Sequence, residues 1–381
     1  ALPVAIKWLL IGRWKPDRFP VWGLKYYRFW IVRTLLALSP MRLFAGTPLY
    51  NWYLRLLGAR IGKDAVLLNG GTVIATDMLS LGDSAFVSRT ATMPGYKARS
   101  GYIEIGSISI GARAYVGEAA HLSINTAIGE GAQLGNTSAL YPGQSVPAGR
   151  RWHGSPAIET ETNYDRAGHL PVSRLRRVIY NVAQFATVFL LAPIPVAVGL
   201  ALFPDIANAG ATHLGGQDMV TGLGWVRIAG GALAAAFVAV VTVHLAQMIG
   251  VYAVPRLLSP LLRPGVPYQL YGFHYYVYGV IRNFGHSGLL KNLFGDSSFI
   301  TGLLRFIGWD LSGRIVQTGS NFGVSQRCDV PQLTRIGTGT MVADGLTVLN
   351  SDYSATAFRV DETRIGANNY LGNVIAYPSG G

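Results

Sequence analysis

The sequence has one cysteine and few charged residues. Cys328 is the only cysteine in 381 residues, so no disulfide can form within the chain, which fits a reducing compartment. Charged residues make up 13% of the chain and its mean hydropathy is +0.30, which is too apolar for an ordinary soluble protein. The sequence also has no Cys/His cluster, phosphate-binding loop or nucleotide fingerprint, so we expect no metal ion and no cofactor held by this chain.

Two stretches, residues 178–203 and 228–251, contain no charged side chain. Each is long enough to cross the hydrocarbon core of a bilayer as a helix, which takes about 20 residues. Residues 204–223, which make up most of the segment between them, contain no Lys or Arg, whereas arginines flank the pair on both sides: Arg174, Arg176, Arg177, Arg256 and Arg263. By the positive-inside rule the connecting segment lies outside. The sequence therefore predicts an integral protein of the cytoplasmic membrane whose flanking domains are cytoplasmic.

Basic residues outnumber acidic ones and give a net charge of +13. Near the N-terminus they alternate with aromatic residues: Lys7, Trp8, Arg13, Trp14, Lys15, Arg18, Trp22, Lys25, Tyr26, Tyr27, Arg28, Trp30 and Arg33. Nucleic-acid binding is the rival reading of so basic a chain. An aromatic and cationic belt is typical of a membrane surface, so we expect membrane lipid and not nucleic acid as a partner.

The chain contains an internal duplication. RIGANNYLGN at 364–373 repeats the pattern of SIGARAYVGE at 109–118, and the same offset of 255 carries Leu81-Gly82 onto Ile336-Gly337. Further upstream, WGLKYYRFWIVR from Trp22 is echoed by YGFHYYVYGVIR from Tyr271. The repeat indicates two tandem domains of one kind.

A shorter period of six residues runs inside each copy. In the first copy it is marked by aliphatic residues, most of them followed by a small residue: Ile110, Val116, Leu122, Ile128, Leu134, Leu140 and Val146. A period of six residues fits neither the helical period of 3.6 nor the strand period of 2 alone. It predicts a solenoid of short parallel strands in which these side chains stack inside and the small residues allow tight turns.

The order of a helix followed by six-residue repeats, closed by VPAGRRWHGSPA at 146–157, resembles the hexapeptide-repeat acyltransferases. The resemblance covers each copy separately and implies a left-handed parallel β-helix. The expected fold is therefore mixed: two tandem left-handed parallel β-helix (hexapeptide-repeat) domains separated by a transmembrane α-helical pair.

A resemblance to a second family covers nearly the whole chain. KWLLIGRWKPDRFPVWGLKYYRFW near the N-terminus, GTMVADG at 339–345 and NYLGNVIAYPSGG at 369–381 are similar to the C-terminal membrane region of Pls/PosA-type nonribosomal peptide synthetases, the ε-poly-lysine synthetase type. The resemblance implies an enzyme that joins amino acids into a homopolymer. It also implies upstream adenylation and carrier domains in the same polypeptide, a phosphopantetheine-bound aminoacyl thioester as donor, and an amino-acid or polymer acceptor.

These patterns predict six segments and a chain cut at both ends. They are the end of a preceding membrane helix, juxtamembrane amphipathic helices, the first repeat domain, two transmembrane helices with a short outer loop, further juxtamembrane helices, and a truncated second repeat domain: 1–12, 13–57, 58–160, 174–254, 255–308 and 309–381.

Candidate site residues follow from the chemistry of amide formation, which needs an amine freed of its proton and held near a carbonyl. His121, at a repeat turn, is the first candidate for the base, and His153, before the closing tail, is the second. In the loop that interrupts the second copy, Asp352 can hold an ammonium group, with Asn350 and Tyr353 as binding residues. The alternative for each is a structural role: a solvated turn histidine, or a turn-forming aspartate.

Two other functions fit the same features. The chain can be a membrane-anchored hexapeptide-repeat acyltransferase that uses acyl-CoA, or a non-catalytic scaffold or export gate for a polymer made elsewhere.

Overall fold

The computed structural model describes residues 2–71, 73–191, 222–285, 294, 297–311, 313, 316–317, 327–373 and 375–380. The chain forms two units, each built from three separate segments. Unit 1 contains Ala1–Asn181, Pro264–Tyr275 and Ser351–Asp361, and unit 2 contains Val182–Arg263, Tyr276–Asn350 and Glu362–Gly381.

Short strands form most of unit 1. From the N-terminus they are β1 (Asp17–Pro20), β2 (Arg60–Ile61), β3 (Val66–Leu67), β4 (Leu79–Leu81), β5 (Phe86–Val87), β6 (Tyr96–Arg99), β7 (Tyr102–Ile105), β8 (Ile108–Ile110), β9 (Tyr115–Val116), β10 (His121–Leu122), β11 (Thr126–Ile128), β12 (Gln133–Leu134), β13 (Ala139–Leu140), β14 (Ser145–Val146), β15 (Arg151–His153) and β16 (Ile158–Glu159).

Most of these strands belong to three parallel ladders. The first ladder has the order β14-β11-β8-β4-β2, the second β15-β12-β9-β5-β3 with β16 added antiparallel, and the third β10-β13. Partners in the later coils are 18 residues apart, as in Ile110, Ile128 and Val146 or in Leu122 and Leu140. Three steps of six residues therefore return the chain to the same ladder. All seven aliphatic residues of the six-residue period are buried, with at most 2% exposure.

The small residues that follow the aliphatic ones stand where successive coils touch. A Cβ added to Gly82 would lie 2.3 Å from the backbone nitrogen of Ala112, and one added to Gly111 would lie 2.6 Å from that of Glu130. Neither glycine has a positive φ angle. The reason for glycine here is the close approach of the next coil, rather than the turn conformation that the sequence suggested.

Each copy carries a three-stranded antiparallel sheet outside the ladders. In the first copy the order is β1-β7-β6. In the second copy β17 (Pro267–Gln269) pairs with β25 (Ala357–Val360), which pairs with β24 (Ser351–Tyr353). Both sheets belong to unit 1, so the loop that interrupts the second copy completes the unit that holds the first.

Unit 1 also contains helices α1 (Leu2–Leu10), α2 (Leu24–Ala37) and α3 (Pro48–Leu56), and the chain leaves it within α4 (Arg174–Ala186). Thr47 caps α3 by accepting a hydrogen bond from the amide of Tyr50, with Pro48 at the first helical position. Helix α1 is held through Lys7, which is fully buried and 2.6 Å from Asp77.

Unit 2 repeats the ladder pattern. Its helices are α5 (Gly222–Leu258), α6 (Phe273–Gly285), which begins in unit 1, and α7 (Ile300–Ile307). Its strands form three-stranded parallel ladders from β18 (Asp310–Leu311), β19 (Val316–Gln317), β20 (Arg327–Cys328), β21 (Thr334–Ile336), β22 (Met341–Val342), β23 (Thr347–Val348), β26 (Thr363–Ile365), β27 (Tyr370–Leu371) and β28 (Ala376–Tyr377). Their inward side chains pack with α7, and Cys328 is part of this core.

The two copies agree in a detail of backbone conformation. Trp22 and Tyr271, which match in the sequence repeat, both have positive φ angles, 74° and 59°, just before helices α2 and α6. Side chains other than glycine seldom adopt this conformation, so its recurrence supports the duplication.

One helix in the described part of the chain, Ala229–Leu261, is long and apolar enough to cross a membrane. It covers the second expected span. The last 12 residues of the first expected span, 192–203, lie outside the described residues, which end at 191 before resuming at 222. A single helix of this kind is weak evidence, because the core helix of a soluble protein has the same length and composition. The two-span membrane pair, the left-handed coil and the segment boundaries stay predictions.

Candidate functional site

His121 lies on β10 in the third ladder, between β13 and Thr92. Its Nδ1 atom is 2.8 Å from Oγ1 of Thr92, whose backbone forms a parallel bridge with His121. Partial burial lowers the pKa of the imidazole, so the neutral form that can accept a proton is favoured. The side chain is otherwise exposed, and the described residues place no carboxylate against it.

His153 lies on the second ladder, at the end of β15. Its Nδ1 atom is 3.0 Å from the hydroxyl of Tyr164. Tyr164 belongs to residues 160–173, which leave the last coil and which we call the strap. The Tyr164 ring fills the space over Gly135, where a Cβ would lie 2.5 Å from Cζ of the ring. The amide of Tyr164 also donates to Oε1 of Gln133 at 2.8 Å. His153 therefore helps to fix the strap along the second ladder.

Asp352 lies on β24 and is held by two arginines. Its Oδ1 atom is 3.1 Å from Nη2 of Arg166 on the strap, and its Oδ2 atom is 3.0 Å from Nη2 of Arg359 on β25. Only 12% of the Asp352 side chain is exposed. An ammonium group would have to displace an arginine to reach this carboxylate. The geometry thus gives Asp352 a structural role, and its role in substrate binding stays a prediction.

Tyr353 and Asn350 have separate structural contacts. The Tyr353 ring stacks on Phe86 with centroids 5.7 Å apart, and Phe86 stacks on Tyr115 at 5.2 Å. Asn350 belongs to unit 2, where its side chain accepts from the amide of Val330 and donates to the carbonyl of the same residue at 2.7 Å. Asn350 is fully buried, and its side chain satisfies both backbone groups of Val330 as a neighbouring strand would.

The strap also joins the second-copy loop by hydrogen bonds. The hydroxyl of Ser354 donates to the carbonyl of Gly168 at 2.6 Å, and the amide of Leu170 donates to Oγ1 of Thr356 at 3.1 Å. With the Asp352–Arg166 ion pair, these contacts join residues 166–170 to the second-copy loop, whose Tyr353 stacks on Phe86.

A cavity of about 330 Å³ lies in unit 1 under this arrangement. It is lined by residues of two coils, the strap and the second-copy loop: Ser84, Phe86, Arg113, Ala114, Tyr115, Asp165, His169, Leu170, Pro171, Ala355 and Thr356. Burial raises the pKa of the Tyr115 hydroxyl, with smaller contributions from nearby carboxylates, so this group stays protonated. The aromatic wall and the acid and base groups of the strap thus share one cavity.

Asp165 and His169 are an acid and an imidazole that line this cavity close to each other. Oδ2 of Asp165 is 3.6 Å from Nε2 of His169, while Oδ1 is buried and has no hydrogen-bond partner among the described residues. Burial raises the pKa of the Asp165 carboxyl. A buried, unsatisfied carboxylate oxygen is costly unless a ligand or a proton meets it, so such a group marks a site where an ammonium or another donor can bind.

Sequence reasoning missed Asp165 and His169. The available signal was NYDRAGHLP at 163–171, which places an aspartate and a histidine four residues apart just beyond the last coil. Since this segment shows no period and lies outside the repeat, only the fold reveals that it returns to the second ladder. Among the described residues, no group of three or more His, Cys, Asp or Glu side chains could hold a metal ion.

Comparisons with known proteins give one curated relative and one solved structure of note, and no family model matches the chain. The chain is 29% identical over 184 residues to a delta-poly-L-ornithine synthetase of Acinetobacter baumannii (strain AB307-0294). The matched region is 48% of this chain but 14% of that protein, so the match spans a small part of the relative's length. The match supports a related family rather than the ε-poly-lysine type in particular.

The solved structure is a maltose O-acetyltransferase from Clostridium difficile 630. It matches 40% of this chain and 95% of its own length, with 14% identity and a TM-score of 0.29. A likeness at this level supports neither a fold nor a reaction.

Proposed function

We propose that this chain is part of a synthetase that joins amino acids into a homopolymer by amide formation on thioester-bound monomers. The observation that carries the proposal is the 29% identity over 184 residues to a delta-poly-L-ornithine synthetase. Membrane location, with both repeat domains in the cytoplasm, is part of the same proposal, as are upstream adenylation and carrier domains.

The reaction sets clear requirements for the site. The acceptor nitrogen forms a bond to the thioester carbonyl carbon, the carbon–sulfur bond breaks, and the sulfur leaves as a thiolate. The acceptor amine reaches the enzyme mainly as an ammonium ion, so it must be bound and must lose a proton before attack. The nitrogen gives up a second proton as the amide forms. One of the two protons goes to the thiolate and the other to water, so the reaction balances without another reagent.

The cavity on the second ladder offers groups for these steps. The free Oδ1 atom of Asp165 can bind the acceptor ammonium, and His169, beside Asp165, can accept its proton. Phe86 and Tyr115 give an apolar wall for the aliphatic part of the acceptor. His121 satisfies the requirement for a base as well, but the structure brings no carboxylate to it. We therefore place the chemistry at Asp165 and His169 and keep His121 as the competing base.

The proposal is tested in the whole polypeptide that carries this chain. We expect His169→Gln to lower the polymer-forming rate by about 10² or more, the usual range for removing a positioned base. Asp165→Asn should mainly raise the concentration of acceptor needed. Glu161→Gln, a change to an exposed carboxylate on the same strap, is the matched control and should leave both quantities unchanged.

Polymer formation is measured beside monomer activation by ATP–pyrophosphate exchange, so that a loss of amide formation is separated from a loss of activation. If His121→Ala abolishes polymer and His169→Gln does not, the base lies on the third ladder instead. If neither variant affects polymer formation, the chain is a scaffold or export gate. If the chain transfers acyl groups from acyl-CoA and makes no polymer, the acyltransferase alternative replaces the proposal.

A further inference from the structure

A second cavity in unit 1 lies beside the proposed reaction site, with Leu170 lining both, and contains neither Asp165 nor His169. Its volume is about 740 Å³, and it is formed by the start of α4 and the segment 267–274. Its walls are mainly apolar and aromatic, with Leu175 and Ile179 on the helix and Tyr268 and Phe273 opposite. At this size the cavity can hold a ligand of several hundred daltons.

The lining of this cavity includes basic side chains but no acidic ones. Arg176 and His274 line it, and no aspartate or glutamate does. In the described part of the chain no carboxylate pairs with Arg176, whereas the neighbouring Arg177 pairs with Asp64. A half-buried guanidinium without a partner presents a fork of hydrogen-bond donors that matches a phosphate group. The cavity is therefore complementary to an anion.

The mouth of the cavity is apolar and open. Leu175 is 69% exposed, Ile179 59% and Phe273 65%, although all three line the cavity. Leu175, Val178 and Ile179 are spaced three and four residues apart, so they lie on one face of α4, while its first turn carries three arginines. A helix with an exposed apolar stripe and basic residues is typical of one that lies in a membrane interface.

We propose that this cavity binds one anionic phospholipid, with the phosphate on Arg176 and an acyl chain along Leu175, Ile179 and Phe273. Charge complementarity favours an anionic headgroup, and the exposed apolar mouth favours a lipid over a soluble phosphate. The site is independent of the amide-forming reaction, so either proposal can fail alone.

The test uses the whole polypeptide, purified in detergent and freed of bound lipid. Dioctanoyl-phosphatidylglycerol is titrated in, and the protein–lipid complex is counted by native mass spectrometry. We expect one molecule to bind with higher affinity than the rest, and Arg176→Gln to weaken that binding at least tenfold. Arg174→Gln is the matched control, because Arg174 is an exposed residue in the same helical turn that does not line the cavity.

Further ligands distinguish a lipid headgroup from a free phosphate, and further variants test the contacts of the site. Dioctanoyl-phosphatidylcholine should bind more weakly than the anionic lipid, and glycerol 3-phosphate should not bind at the same concentrations. Arg176→Lys should recover part of the affinity, and Ile179→Gln should weaken lipid binding, which guards against misfolding of a single variant. Equal losses in Arg174→Gln and Arg176→Gln, or equally tight binding of glycerol 3-phosphate, would overturn the lipid site.

Discussion

Asp165 shows how a single side chain can carry a stability cost and a function together. Its Oδ1 atom is buried without a partner, and burial raises the pKa of the carboxyl. A raised folded-state pKa means that the protonated form is favoured by folding. The stability this provides is fully present below the unfolded pKa, near 3.8, and is lost as the pH rises through the folded pKa.

The consequence can be measured with Asp165→Asn. At neutral pH we expect the variant to unfold at a higher temperature than the unaltered protein, because the buried charge is gone. The difference should shrink as the pH falls towards 4 and vanish below it. Thermal unfolding followed at several pH values checks this, with Glu161→Gln as the control that shows no such trend. A difference in unfolding temperature that persists at pH 3 would mean that the charge of Asp165 does not cause it.

At the scale of elements, the six-residue period was sufficient to predict which side chains face inward, since all seven aliphatic markers are buried. It could not show what Asp352 and Tyr353 would contact. Their partners, Arg166 and Phe86, lie far away in sequence, and no local pattern records a long-range contact. The period also could not distinguish glycines that the close approach of the next coil requires from glycines that a positive φ angle requires.

Two glycines give a matched test of that distinction. A Cβ on Gly111 would press on the backbone of the next coil at 2.6 Å, whereas one on Gly131 meets nothing within 4 Å and only a positive φ of 64° opposes it. We expect Gly111→Ala to lower the free energy of unfolding by about 3 kcal/mol, the upper range for overpacking. Gly131→Ala should cost about 1 kcal/mol, the strain of alanine in this backbone region. Chemical denaturation of both variants measures the two losses, and equal losses would contradict the close-approach explanation.

The chain as a whole passes repeatedly between its two units, because each unit is made from three segments. A truncation at residue 181 would therefore remove β17, β24 and β25 from unit 1 along with everything that follows. The boundaries read from the sequence treat the two copies as consecutive domains. These boundaries could not show that unit 1 includes segments of the second copy. The duplication shows which segments are alike in sequence and not which segments fold together.

The membrane arrangement is a prediction at this same scale. The absence of Lys and Arg from 204–223, between flanks rich in arginine, predicts that this segment lies on the outer side of the membrane. A reporter enzyme fused at Gly215 should report the outer side, and reporters at Arg150 and Gly319 should report the cytoplasm. A cytoplasmic signal at Gly215 would exclude the two-span arrangement.

The stacking of Tyr353 on Phe86 has a consequence for biosynthesis. Tyr353 leaves the ribosome 267 positions after Phe86. At about 5–20 residues per second, the coil that carries Phe86 waits roughly 13–50 s for the loop that covers it. Throughout that interval the nascent chain exposes an aromatic surface to other chains and to chaperones. The yield of folded protein should therefore depend on the speed of translation between the two copies.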